Sequence, residues 1–433
     1  MNKKITIIGC GYVGLTTGIC FAEVGHRVIF VDNDEKKVEI LNSGELPIYE
    51  PGLKELMLKN RNNIEFTSDL SYSIKSSEII FIAVGTPSNA DGSADLSYVE
   101  NVARTIALNM DSYKLVVEKS TVPVQTAEWV RITINRYKKN DVDFDVASNP
   151  EFLREGTAIN DFLFPDRIVI GVESERAKKL MLELYEPIKA EKIVVDTKSA
   201  ELIKHASNSF LAMKISFINA VANICEKTGA DIEKVALGMG LDKRIGKSFL
   251  NAGIGYGGSC FPKDVRAFLW IAKNLGYDFG LLREVESVNQ KQKELFVKKI
   301  EETLWILKEK KVGVLGLSFK PNTDDIREAP SIFVIQQLLE KGARVSVYDP
   351  QAMNKMKQIF PQIEYCNEVY SVAKESDCLV FLTEWEEFKN INFSKIKSLM
   401  QQPIVIDGRN MFDPKEMKEF GFIYKCVGRP EVK

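Results

Sequence analysis

Histidine is nearly missing from this chain: 433 residues contain two, His26 and His205. Two imidazoles are too few for a histidine metal site, so no metal is expected. Cysteine is sparse and badly placed for bridging. The seven stand at 10, 20, 225, 260, 366, 378 and 426, an odd number with no CxxC pair. That spread argues against a disulfide framework or a zinc site and for a reducing, cytoplasmic setting. An excess of either charge is missing too. Lys and Arg total 58 against 60 Asp and Glu, a net −2, so no nucleic acid or anionic membrane partner is expected. No apolar run reaches the length of a membrane span. Residues 1–4 lead into a strand, not a signal peptide. What remains is a globular balance, 45% hydrophobic and 27% charged, long enough for two or three domains.

The N-terminal order is strand, glycine turn, helix, strand, acid. Lys4–Ile8 is an apolar strand, Gly9–Cys10–Gly11–Tyr12–Val13–Gly14 follows, Leu15–Val24 reads as a helix, and Arg27–Val31 is a strand ending at Asp32. Gly9 supplies the tight turn, Gly11 lets a pyrophosphate approach, and Gly14 lets helix and strand pack, with the phosphates at the helix N-terminus. Asp32 stands 18 residues after Gly14, where an acid accepts ribose hydroxyls and repels a 2′-phosphate. That favours NAD over NADP, with FAD as the competing ligand of such a turn. Strands continue at Glu78–Val84, Leu115–Glu118, Asp145–Ala147, Ile168–Gly171 and Ile193–Val195. The polar loops Gly85–Pro87, Lys119–Pro123 and Asn149–Gly156 follow strand ends, where ligands bind in such sheets. Glu151 and Glu155 stand four apart. They either share one helical face or cap a helix after Pro150.

Thr197–Lys227 is the longest helical pattern. Its apolar positions cover more than one stripe, so the helix is expected to be buried on several sides, as a linker between lobes or a dimer seam. Lys204 and Asn208 lie one turn apart on it, and a lysine on a buried helix is either functional or a rim residue. Asp231–Met239 and Leu281–Lys308 are further helices. A second α/β unit follows: Val312–Leu315, Pro330–Lys341, Arg344–Tyr348 ending at Asp349, Cys378–Thr383 and Ile404–Ile406. It echoes the first unit without the three glycines, as a nucleotide lobe for something other than a dinucleotide would. Lys320, Arg327 and Arg409 sit near its strand ends, either to meet phosphates or as ordinary surface charges. The fold class is therefore α/β: two Rossmann-like, doubly wound parallel-sheet domains joined by a long central helix. The divisions fall at 1–196, 197–308 and 309–433.

The stretch that ties these parts to one chemistry is Gly253–Ile254–Gly255–Tyr256–Gly257–Gly258–Ser259–Cys260–Phe261–Pro262–Lys263–Asp264. Four glycines let backbone approach a ligand closely and present Cys260 to it. Pro262 suits a first helical turn, with Val265–Leu275 as the helix. A thiol just before that N-terminus and beside Lys263 should ionise easily. A single-step alcohol dehydrogenase needs no nucleophile. A presented cysteine fits an alcohol oxidised twice, through a thiohemiacetal and a thioester that water cleaves. Lys204 then serves as acid/base or oxyanion group, Asn208 as oxyanion donor, and Thr121, Glu151 and Asp264 as groups that order the base or the water. Two other readings remain at this level. One is a two-electron β-hydroxyacid dehydrogenase, which leaves Cys260 idle. The other is a non-catalytic NAD-binding redox sensor, which leaves Lys204, Asn208 and Glu151 without a joint role.

The motifs GCGYVG (9–14), Ser120–Pro123, NPEFLREG (149–156), ELIKHASNSF (201–210), GGSCFPKD (257–264) and LGLSFK (315–320) resemble the UDP-glucose/GDP-mannose dehydrogenase family, on its UDP-glucose 6-dehydrogenase branch. The resemblance covers essentially the whole chain. It implies a four-electron oxidation of UDP-glucose to UDP-glucuronate by two NAD, serving polysaccharide biosynthesis. It casts Cys260 as nucleophile, Lys204 and Asn208 as oxyanion or acid/base groups, and Asp264, Thr121 and Glu151 around the water. It puts NAD on Gly9, Gly11, Tyr12, Val13, Gly14, Asp32, Lys37, Thr86, Thr121, Glu155, Lys263 and Arg327. It puts the nucleotide sugar on Glu151, Phe152, Leu153, Arg154, Glu155, Lys204, Asn208, Phe249, Leu250, Asn251, Gly253, Tyr256, Gly257, Lys320 and Arg409. It adds a homodimer through the long helix, with Arg244 entering the partner subunit's site. Members that oxidise N-acetylated UDP-sugars usually carry histidine before the cysteine, where this chain has Ser259. GDP-mannose members share a similar GGSC, but Asp242–Lys243–Arg244–Ile245–Gly246 resembles the UDP-glucose branch.

Overall fold

The computed structural model describes residues 2–430. The chain divides into two compact units, Met1–Ser207 with Arg266–Tyr277, and Asn208–Val265 with Asp278–Lys433.

The first unit is built on eight strands: β1 (Lys4–Ile8), β2 (Arg27–Val31), β3 (Ile64–Thr67), β4 (Ile79–Ile82), β5 (Lys114–Glu118), β6 (Phe144–Ser148), β7 (Arg167–Gly171) and β8 (Glu191–Val195). Their order is β3-β2-β1-β4-β5-β6-β7-β8. Ile5 of β1 faces Val28 on one side and Ile79 on the other. The chain winds outward from β1 to β3, then returns to β4, so β1 and β4 flank the switch point where such sheets bind ligands. The strands are apolar on both faces because helices cover both. Ile5, Ile7, Phe30 and Phe81 pack on one side, Ile8, Ile80 and Ile82 on the other, the period-two alternation of a strand. β1 to β6 pair in parallel. β7 joins β6 antiparallel through Ser148 and Gly171, and β8 runs parallel to β7.

The second unit holds β9 (Lys311–Leu315), β10 (Arg344–Tyr348), β11 (Glu364–Tyr365), β12 (Cys378–Phe381), β13 (Ile404–Asp407) and β14 (Ile423–Lys425), in the order β11-β10-β9-β12-β13-β14 with every pair parallel. The echo of the first unit extends to hydrogen bonds. Gly9 N–H donates to Val31 O and Gly316 N–H to Tyr348 O, at 2.8 and 2.9 Å, and both glycines take positive φ.

The long helix Thr197–Thr228 starts in the first unit and ends in the second. Within the single chain it is not covered all round. Phe210, Phe217 and Ile224, seven residues apart in turn, are 57%, 53% and 59% exposed. The extra apolar stripe is a face that the single chain leaves uncovered. Of the two readings left open for Glu151 and Glu155, the shared helical face falls: residues 149–157 are irregular backbone. Pro150 disfavours helix in the residue before it, and the Glu151 carboxylate turns back onto the Leu153 N–H at 2.6 Å. The helix after the cysteine is longer than expected, Phe261–Asn274. No helix among the described residues is long and apolar enough to cross a membrane.

Candidate active site

The glycine turn after β1 has the shape its sequence promises. Gly9 has φ +105°, and a Cβ there would stand 2.6 Å from Ala83 O. A Cβ on Gly14 would overlap the Gly9 carbonyl, so helix and strand need glycine to meet. At Gly11 a Cβ would meet nothing within 4 Å. This open cradle is what a pyrophosphate requires. The helix Tyr12–Glu23 begins there with Gly11 as N-cap and no side-chain cap, leaving first-turn N–H groups for an anion. Asp32 accepts from Cys10 N–H at 2.8 Å, Asp34 N–H at 3.0 Å and Lys37 Nζ at 3.0 Å. Thr86 Oγ1 donates to Thr121 O at 2.9 Å, joining two strand-end loops. Gly9 to Gly14, Asp32 and Lys37 therefore fit a dinucleotide on observation as well as by motif.

Lys204 is 3% exposed. Its Nζ donates to the Glu151 carbonyl at 2.5 Å and meets Glu151 Oε1 at 3.0 Å. The Phe152 ring lies between two cations, Arg167 at 3.9 Å and Lys204 at 5.3 Å. Arg154 is engaged by Asp161, with Nε to Oδ2 at 3.0 Å. Glu155 is buried on the same loop. The loop carrying Thr121 is held by the long helix. Glu201 accepts from Gln125 N–H and Ala127 N–H, at 2.6 and 2.8 Å, and His205 Nε2 lies 2.8 Å from Val122 O.

In the second unit Cys260 caps the helix Phe261–Asn274: its carbonyl accepts from Asp264 N–H at 2.8 Å. Ser259 Oγ is 3.6 Å from the Cys260 sulfur. Asp264 is 1% exposed, and its Oδ2 accepts from Asn208 Nδ2 at 2.6 Å. Lys263 Nζ is 3.4 Å from Asp264 Oδ1. Packing gives the glycines before Cys260 a further reason, since a side chain at each would run into protein. A Cβ on Gly253 would lie 2.7 Å from Gly408 O, on Gly255 2.5 Å from Asn289 Oδ1, and on Gly258 2.7 Å from the Phe319 ring, while Gly257 abuts the Glu328 carbonyl. Ile254 N–H bonds Gly408 O and Gly258 N–H bonds Arg327 O, at 3.0 and 2.9 Å. The cysteine loop is thus laid on the strand-end loops of the second sheet.

The sugar-site candidates 249–257 lie on the same loop. Leu250 and Tyr256 are buried, Phe249 has φ 65°, and Asn251 is exposed. Arg409 donates to Leu382 O, Gly255 O and Phe319 O, at 2.8, 3.2 and 3.2 Å, so it organises this region as well as carrying charge. Lys320 lies 5.4 Å from the Phe319 ring. Arg327 is clasped by Asp325, and Arg244, its side chain 89% exposed, by Asp242. Sequence reasoning missed the supports of this loop. Asn219 Oδ1 accepts from Gly253 N–H at 2.8 Å, Asn289 Oδ1 from Tyr256 N–H at 2.8 Å, and Gln292 donates to Gly253 O at 2.9 Å. Their signal was amides on otherwise apolar helix faces. Glu50 was missed as well: it accepts from the Tyr12 hydroxyl, from Gly156 N–H at 2.5 Å and from Ala158 N–H at 2.8 Å. The second lobe keeps an acid at the matching strand end, but it is engaged by the protein. Asp349 is taken up by Leu317 N–H, Ser318 N–H, Trp385 Nε1, Gln351 N–H and Ala352 N–H.

Three family models together span most of the chain. The NAD binding domain of the UDP-glucose/GDP-mannose dehydrogenase family matches residues 3–189, its central domain 198–291 and its UDP binding domain 313–414. A UDP-glucose 6-dehydrogenase of Bacillus subtilis is 49% identical over 100% of this chain and 94% of its own length. One from Rhizobium meliloti is 46% identical over 99% of this chain and 100% of its own. Among solved structures, a UDP-glucose dehydrogenase from the archaeon Pyrobaculum islandicum superposes with TM-score 0.92. It is 40% identical, over 98% of this chain and 97% of that one.

Proposed function

The chain belongs to the UDP-glucose/GDP-mannose dehydrogenase family, and from that premise we propose that it is a UDP-glucose 6-dehydrogenase, oxidising C6 of UDP-glucose to the carboxylate of UDP-glucuronate. The observation that carries the reading is the pairing of Asn208 with Asp264 one helical turn from Cys260; Lys204, four residues before Asn208 in sequence, is buried. A two-electron alcohol dehydrogenase has no use for the cysteine.

NAD, when bound by Gly9 to Gly14, Asp32, Lys37, Thr86 and Thr121, supplies the hydride acceptor for each of two oxidations. In our reading Lys204 takes the proton of the C6 hydroxyl in the first. The Cys260 thiolate then adds to the aldehyde carbonyl, and Asn208 donates to the oxyanion. The thiohemiacetal hydroxyl loses its proton as the second hydride leaves, giving a thioester on Cys260. Water adds to the thioester, the sulfur departs as thiolate, and Asp264, Thr121 and Glu151 order that water. Phe152 to Glu155, Phe249 to Gly257, Lys320 and Arg409 hold the sugar nucleotide; Lys263, Arg327 and Glu155 complete the cofactor contacts.

Two chains act together in this proposal. The uncovered stripe at Phe210, Phe217 and Ile224 is the dimer face, and the exposed Arg244 serves the partner subunit's site. The functional parts remain 1–196, 197–308 and 309–433, and the compartment is the cytosol. NADH absorbance with a panel of nucleotide sugars tests the reading. UDP-glucose should be turned over fastest; preference for GDP-mannose or a UDP-N-acetylhexosamine moves the chain to another branch, and no turnover at all removes the enzyme reading.

A further inference from the structure

One buried ammonium has no role in the mechanism above. Lys119 follows β5 at the head of the loop that carries Thr121, and it is 5% exposed. Its Nζ donates to Asn149 Oδ1 at 3.0 Å, an oxygen that also accepts the Tyr185 hydroxyl at 2.5 Å. No ion pair within 4.0 Å forms at Lys119 among the described residues. A lysine buried without a carboxylate in contact is costly and needs a reason.

Asn149 stands two residues before Glu151, whose carbonyl and carboxylate hold Lys204 Nζ. Consecutive Cα atoms are about 3.8 Å apart, so two such residues stand within roughly 7–8 Å of each other whatever path the backbone takes. The two amines therefore flank one short segment with a single carboxylate, Glu151, on it. Glu151 alone would favour the ammonium form of Lys204, the wrong form for a base. A second cation nearby works against that, as it does for other catalytic lysines. The effect is mutual. The Lys119 ammonium is pushed down to about 7, by burial first, with Lys204 adding to the shift and Glu151 opposing it. The other charged and titratable groups around the pair are Arg167 across the Phe152 ring, Glu155 on the same loop, His205 beside Lys204, and Glu118 and Glu201 at the base of the Thr121 loop.

We propose that Lys119 is a positioning residue for the proton of the first oxidation: its charge offsets Glu151 and lowers the proton affinity of Lys204, so that this amine is free of its proton near neutral pH. The proposal rests on reading Lys204 as the base of a nucleotide-sugar dehydrogenase. In an effective dielectric of about 20, a full charge roughly 8 Å away is worth about one and a half pH units, and a Lys119 lowered to about 7, so only partly charged near neutral pH, about one. Lys119→Met should therefore move the acid limb of the kcat profile up by about one unit. At pH 7 that is about tenfold in kcat, with KM for UDP-glucose little changed and the rate recovering at high pH. Lys119→Arg, which keeps the charge, should leave the limb where it is.

The reactivity of Lys204 is then read without turnover, by acetic anhydride labelling across pH and mass spectrometry of the peptide, in protein without substrate. The labelling midpoint should rise by about one unit in Lys119→Met and stay put in Lys119→Arg. An unmoved midpoint in Lys119→Met overturns the proposal even if that variant is slow, since a structural defect lowers kcat at every pH. A midpoint that moves as stated, in a protein that reduces no NAD with any nucleotide sugar, supports the charge coupling and overturns the enzyme reading instead.

Discussion

Gly11 and Gly258 are both glycines in loops of the candidate site, and the structure gives them opposite reasons. Gly258 has φ +87°, and a Cβ there would lie 2.7 Å from the Phe319 ring. The left-handed backbone costs a non-glycine residue about 1–2 kcal/mol, and forcing a methyl into packed surroundings about 1–3 kcal/mol. Gly258→Ala should therefore lose about 2–5 kcal/mol. At Gly11 a Cβ meets nothing within 4 Å, and the residue is a helix N-cap with φ −85°. Gly11→Ala should cost no more than about 0.5 kcal/mol yet weaken NAD binding, because the added methyl occupies the pyrophosphate's approach. Urea midpoints and NAD titration calorimetry separate the two. A Phe319→Ala change in the Gly258→Ala background should recover the steric part of the loss and not the backbone part. The reasoning fails if Gly11→Ala is the less stable variant, or if it binds NAD as wild type does.

Three further outcomes follow from particular groups. Cys260 is part-exposed while the other six cysteines are buried, so iodoacetamide on native protein should label Cys260 first and abolish turnover in proportion; labelling spread over several cysteines contradicts the presented thiol. Burial raises Glu118 to about 8 and Glu201 to about 7. Raised carboxylates give stability that is full below about 4.5 and lost as pH climbs through 7 and 8, while Lys119, lowered to about 7, acts with opposite sign only above that. Glu118→Gln should then gain roughly 2–3 kcal/mol on wild type between pH 5 and pH 7 in urea midpoints, and parallel curves for the two proteins would count against a buried carboxylate there. Phe210→Glu with Phe217→Glu should convert a dimer to single chains by light scattering; an unchanged mass places the interface elsewhere.

Much of the fold was legible because its signals are local. The glycine turn, the strand before it and Asp32 lie within one 30-residue unit, and the buried strands read as apolar runs. β3, β11 and β14 escaped because four, two and three residues with exposed positions leave no pattern. Lys204, Asn208 and Cys260 stood out by residue type in an unusual place. Glu50, Lys119 and Glu201 did not, since their meaning lies in partners 30 to 108 positions away. For Glu151 spacing left a shared helical face and a helix cap both open, and neither pointed to Lys204; its turn onto Leu153 keeps the segment irregular and brings the carboxylate to that amine. The four glycines before Cys260 were noticed for access to a ligand; that a side chain at each would also strike Gly408, Asn289, Glu328 or Phe319 depends on distant partners and was not legible.

The central claim is that one cysteine carries the sugar through both oxidations. With limiting UDP-glucose and excess NAD, about two NADH should form per sugar, with no aldehyde captured by a hydrazine present throughout. Cys260→Ser should bind both ligands and fail to reach the carboxylate at a useful rate. One NADH per sugar, or a hydrazone of the C6 aldehyde recovered from wild-type reactions, would contradict the covalent path through Cys260.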